Sequence, residues 1–271
     1  MSILQLIYLE WLKYRKNTTF KVTVLLYFLL LPTLPAVLLS FDSLPPPLPS
    51  PASFFDFPDI WGLVAYTGNW LAYFLFGFLG VYIISVDTTN KTFRQSIING
   101  LSRKQVILAK MFFMLIFAII ATVFYILTVF ILGNFGSEPF EGRPLFGEEF
   151  IIARYFLMSL SYLIFGFLIG LLIRSIGVAT MLYFLYIFFI EVIIRYLVHL
   201  NIFKDDRSMI FYPMNALEDL TPFPYGGEAA NSGMNLSFDL FLTPTEAFVT
   251  TSIYTTIFIA SSVFLILKRD L

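Results

Sequence analysis

The stretch Asp87-Thr88-Thr89-Asn90-Lys91-Thr92-Phe93-Arg94-Gln95-Ser96-Ile97-Ile98-Asn99-Gly100-Leu101-Ser102-Arg103-Lys104-Gln105 is a basic island between two long apolar runs. Phe93, Ile97 and Leu101 recur every fourth residue, which puts them on one face of a short helix and turns Lys91, Arg94 and Gln95 away from it. Asn99-Gly100 suits the end of that helix, because both residues tolerate the left-handed conformation of a C-cap. Ser102 and Gln105 have the spacing of a capping box, so a second helix starts at once and carries Lys110 into the next apolar run. Read from its residues, the island is either a plain connector between two spans or an element presented to a partner.

Outward from it, the chain is a membrane protein by composition: 271 residues, 58% hydrophobic and only 13% charged, with a mean hydropathy of +0.83. That length holds about six helical spans of roughly 20 residues and leaves little for a soluble domain. The absence of cysteine excludes disulfides and thiolate metal sites, and the single histidine, His199, excludes a multi-histidine metal centre. No catalytic constellation is evident. There is no glycine-rich phosphate loop, so any ATP that drives this chain is bound by another. The net charge of −1 gives no sign of a nucleic-acid partner, because the two signs are segregated along the chain.

Residues 2–19 combine Leu4, Tyr8, Trp11 and Leu12 near one helical face with Glu10, Lys13, Arg15 and Lys16, which reads as an interfacial amphipathic helix rather than a secretory leader. Spans are expected at 21–41, 60–86, 105–132, 150–173, 178–198 and 247–267. Pro32 and Pro35 should kink the first, and Gly68-Asn69 marks a place where the second can unwind. The prolines between Asp42 and Asp59 favour extended polyproline segments. Gly166 and Gly170 have the spacing of a close helix crossing. In the segment 199–246, Phe211, Tyr212, Met214, Leu217 and Leu220 have helix-like spacing before Pro222, Pro224 and Gly226-Gly227, which reads as a re-entrant helical piece or an irregular loop.

With the N-terminus inside, the inner segments hold Lys13, Arg15, Lys16, Lys21, Lys91, Arg94, Arg103, Lys104, Lys110, Arg174, Lys268 and Arg269. The outer loops hold Arg143, Lys204 and Arg207 and most of the acids, including Glu138, Glu141, Glu148, Glu149, Glu228 and Asp239. By the positive-inside bias both termini are cytoplasmic and the span number is even. Glu191 and Arg195 lie four residues apart inside an apolar run, where they can form an intramembrane ion pair with either a structural or a gating role. Arg154 reads as a snorkelling anchor.

The island resembles the loop between the second and third spans of ABC-2-type transporter permeases, the membrane subunits of ABC exporters. In that family an acidic residue precedes a Gly-Thr or similar pair, an amphipathic turn, and a Ser-Arg step into a helix bearing a lysine. Asp87, Lys91-Thr92, Ser102-Arg103 and Lys110 occupy those places, with Asp87 where Glu is more usual and Lys91 in place of the common glycine.

The resemblance implies an all-α, six-span permease with an N-terminal elbow helix. Its coupling helix would engage a separate ATPase through Asp87, Lys91, Phe93, Arg94, Ile97, Ser102 and Arg103. It also implies two ATPase copies carrying ATP and magnesium, a second permease copy or a related one, and a setting in the bacterial plasma membrane. Tyr66, Asn69, Trp70 and Tyr73 become candidates to line a path. Rival readings are an ion-coupled secondary transporter, which calls for mid-plane charges and an internal repeat, and an intramembrane lipid-modifying enzyme, which calls for acids clustered at one face.

Overall fold

Side-chain caps set where two of the long helices begin. The Asn17 side chain accepts from the Phe20 N–H at 2.9 Å, and Ser102 and Gln105 close both halves of their capping box. This computed structural model describes residues 3–46, 48–136, 149–173, 175–225 and 241–268. Glu138, Glu141, Arg143, Glu148, Arg174, Gly226, Gly227, Glu228, Asp239 and Arg269 therefore lie outside the described residues.

In chain order, the helices are α1 (Ile3–Tyr14), α2 (Thr18–Ala36), α3 (Asp59–Thr89), α4 (Thr92–Ile98), α5 (Arg103–Leu132), α6 (Phe150–Leu172), α7 (Ile176–Phe203), α8 (Pro213–Glu218) and α9 (Pro244–Lys268). Six of them, α2, α3, α5, α6, α7 and α9, are long and apolar enough to cross a membrane, and the described residues contain no strand. Gly100, at φ +94, ends the turn after α4 in a conformation that favours glycine.

α2 runs as helix through Pro32 and Pro35 and then tightens into the 3-10 turn Val37–Ser40. Two sequence expectations need correction. Gly68 and Asn69 are helical too; the irregularity in α3 is a π turn one step further on, at Ala72–Phe76. Such a turn leaves a carbonyl without its usual helical partner, and the Tyr183 hydroxyl donates to the Tyr73 carbonyl at 2.7 Å. The proline-rich segment is not extended throughout, because Pro51–Phe55 forms a 3-10 turn with proline at its first position. It buries Phe54, Phe55 and Phe57 against the bundle, with Phe54 meeting Phe223 and Tyr225 and Phe57 meeting Phe130. Burial of the three rings outweighs the extended preference of the flanking prolines.

At the centre, α3 and α6 cross with their backbones in contact. A Cβ on Gly80 would strike the Leu163 carbonyl, and one on Gly166 would strike the Gly77 carbonyl; Gly170 faces Val81 and Ile84. In an apolar 18-residue stretch of each of these two spans 72% of the residues are buried, against 22% in the corresponding stretches of α2 and α7. Small residues on both helices permit the approach, which gains dispersion contacts where lipid and side chain are equally apolar.

Candidate functional site

The island is held to the bundle by a quartet of charges, three of them buried. Leu6, Glu10 and Tyr14 recur every fourth residue and form the inward face of α1, so Glu10 is carried inside at 3% exposure while Leu4, Tyr8 and Trp11 face outwards. Val106, Lys110, Phe113 and Phe117 form the corresponding face of α5, and Lys110 is fully buried. Lys110 Nζ pairs with Asp87 at the end of α3, donates to Glu10 Oε2 at 3.1 Å, and donates to the Ile83 carbonyl at 3.3 Å. Lys13 pairs with Glu10 at 2.7 Å and with Asp87 at 3.2 Å. Two carboxylates thus meet two ammonium groups, and the cluster is neutral as a whole. Tyr14 closes one side by donating to the same Ile83 carbonyl at 2.8 Å.

The quartet reaches α4 through Thr92, whose hydroxyl donates to Asp87 Oδ1 at 2.6 Å. Thr92 opens α4, and Lys91 before it adopts the left-handed conformation, φ 56 and ψ 16. Glycine takes that conformation without strain, which is why glycine suits this place in the resembling pattern. Phe93 is 2% exposed and Ile97 packs beside it on the core. The outer side of α4 carries Lys91, Arg94, Gln95 and Ile98, with Ile98 76% exposed. Phe93 therefore anchors α4 rather than offering a contact, and Ile98, which periodicity passed over, is the exposed apolar side chain. Ser102 is the capping residue of α5, and Arg103 donates to the Leu267 carbonyl at 3.3 Å, tying α5 to the end of α9. A cleft of about 520 Å³ between α1, α4 and α5, with Glu10, Lys13, Ser96 and Asn99 on its walls, leaves room beneath α4.

The four path candidates divide. Trp70 is exposed on α3, and Tyr66 is half-buried against Phe223. Asn69 and Tyr73 turn inwards instead. Asn69 donates to the Glu218 carbonyl and the Thr221 hydroxyl, each at 2.9 Å, and accepts from the Tyr162 hydroxyl at 3.0 Å. Tyr73 is packed on Tyr162 and Phe188.

Glu191 and Arg195 do not form the direct pair that their spacing allows. The Glu191 carboxylate instead accepts from the Met214 N–H at 2.8 Å and the Asn215 N–H at 3.0 Å, capping α8, while Arg195 lies over the Tyr196 ring. Backbone donors at a helix start win here because they are fixed in place, whereas the guanidinium must be oriented on a flexible stem. Arg154 is also buried, over the Phe150 ring, and does not reach out as an anchor. His199 meets Ser208 at 2.8 Å.

Asp219, just beyond α8, joins α8 to the residues that lead into α9 by accepting from Asn215 Nδ2 and Leu242 N–H, both at 2.9 Å. Burial pushes its carboxyl up to about 7, against the pull of the Leu242 N–H, Arg195 and Asn215. A raised carboxyl value contributes stability that is full below the unfolded value of about 3.9 and is lost as pH rises through about 7. The melting temperature in detergent should therefore fall from pH 5 to pH 8 in the parent and fall less in Asp219→Asn, whereas parallel profiles would refute the assignment.

A family model described as "ABC-2 family transporter protein" matches residues 6–191, from α1 into α7. No curated protein matches the chain.

Proposed function

This chain belongs to the ABC-2 family of transporter proteins, and from that membership we propose that it is the permease subunit of an ATP-driven exporter whose motor is a separate ABC ATPase. It is a multi-pass membrane protein and a transport component, and the hydrolysis of ATP would fall to the partner. Two copies of it, or one copy and a related permease, would enclose the path, with two ATPase subunits holding ATP and magnesium on the cytoplasmic side. The segregation of lysine and arginine supports placing α1, α4 and both termini on that side of the bacterial plasma membrane.

The observation that carries this reading is the unbroken line from the exposed face of α4 through Thr92, Asp87 and Lys110 to Glu10. An ATPase pressing on Arg94, Gln95 and Ile98 would move α4 towards the cleft beneath it, and the quartet would pass that displacement to α1, α3 and α5 together. Trp70 is the path candidate that remains at the surface, on the side a second permease chain would face.

The test is a proteoliposome carrying the permease with its ATPase. Arg94→Glu/Ile98→Asp, both at exposed positions, should abolish permease-stimulated ATP hydrolysis and transport while leaving the melting temperature of the permease unchanged. Parental transport by that variant would refute the docking face, as would cysteine labelling that places residue 94 outside the cell.

A further inference from the structure

A second concave surface lies on the outward side of the bundle, between α1, α2 and α5, and encloses about 660 Å³. Its walls are apolar and largely aromatic: Phe20, Val24 and Phe28 from α2 face Phe113, Phe117 and Ile120 from α5. At one end stand Arg15, just after α1, and Lys21, in the first turn of α2. Both are exposed, and among the described residues neither pairs with a carboxylate. The nearby acid on α1, Glu10, is taken up by Lys13 and Lys110. The groove thus has a cationic mouth and an apolar body, with the exposed indole of Trp11 on its rim.

Its dimensions match one lipid chain. From Phe20 to Phe28, α2 rises about 12 Å at 1.5 Å per residue, close to the roughly 15 Å that half a hydrocarbon core measures. Arg15 and Lys21 sit where α1 turns into the first span, the level of the headgroups.

We propose that this groove is a binding site for one anionic phospholipid, with its phosphate between the Arg15 guanidinium and the Lys21 ammonium and an acyl chain along Phe20, Phe28 and Phe117. A charge-assisted pair with phosphate supplies selectivity, since a zwitterionic lipid brings its own ammonium group next to the phosphate and gains less from the two cations. An apolar protein helix in the groove would cover the walls but leave both cations without a counter-charge. The site depends on the chain spanning a membrane and not on the coupling role of α4.

Native mass spectrometry of the full chain released from micelles with equal phosphatidylglycerol and phosphatidylcholine reads this out. One phosphatidylglycerol should be retained in preference, and Arg15→Gln/Lys21→Gln should weaken that retention on the order of 30-fold with phosphatidylcholine unchanged. Val24→Trp, which fills the groove, should remove the lipid while both cations remain. Excess inorganic phosphate should not displace it, because the acyl chain holds the headgroup in place. Equal retention of the two lipids, a preference that survives the double variant, displacement by free phosphate, or a co-purifying protein that shields Trp11 would each overturn the proposal.

Discussion

Lys110→Met should destabilise the permease by roughly 3–5 kcal/mol, the cost of stranding buried charge when one partner of an ion pair is removed. Lys110 is fully buried and is the cation that bonds Asp87, Glu10 and the Ile83 carbonyl at once. Without it, two carboxylates face each other with Lys13 alone, whose side chain is partly exposed. Methionine fills most of the volume, so the loss reports charge rather than a cavity. The triple variant Glu10→Gln/Asp87→Asn/Lys110→Met should recover much of the deficit, since it removes every fully desolvated charge of the cluster and leaves only Lys13, whose partly exposed ammonium can reach water. Thermal unfolding in detergent measures both. If Lys110→Met melts with the parent, or if the triple variant is worse than the single, the quartet is not a buried electrostatic unit.

Gly80→Ala should also lower the melting temperature, although alanine is the better helix former by about 1 kcal/mol. The added methyl would meet the Leu163 carbonyl and the Phe167 nitrogen, both backbone atoms that cannot rotate aside. Relief requires α3 and α6 to separate, which disturbs the Tyr162 bond to Asn69 and costs about 1–3 kcal/mol or more in a close-packed interior. Gly166→Ala, aimed at the Gly77 backbone, should behave alike. Gly177→Ala is the control, because a Cβ there meets nothing within 4 Å; its melting temperature should hold or rise. Equal behaviour of Gly80→Ala and Gly177→Ala would mean that the crossing is looser than described.

Features legible in the sequence were those fixed by neighbours along the chain. The capping box at Ser102 and Gln105, the left-handed Gly100 and the shared face of Phe93 and Ile97 follow from spacings of three or four residues, whereas the inward direction of that face does not. Six apolar runs likewise announce six long helices. The contacts that spacing could not supply join distant parts of the chain. Glu10 finds Lys110 a hundred residues on, and only its place between Leu6 and Tyr14 on one helical face hinted that it turns inwards. Glu191 has a cation at the favourable helical spacing yet bonds backbone amides 23 and 24 residues later, because α8 brings unsatisfied donors to it. The π turn in α3 and the burial of Phe54 and Phe55 are likewise set by what packs against them, not by their own residue types.

The crossing of α3 and α6 has a consequence for biogenesis. Thr89 leaves the ribosome 83 residues before Leu172, an interval of roughly 4–17 s at typical synthesis rates of 5–20 residues per second. Throughout that interval the glycine-lined strip of α3 and the amide of Asn69 must wait in the bilayer or beside the insertion machinery without the surface that completes them. An early α3 is therefore the segment most in need of a temporary companion, and quality control of this protein would begin there.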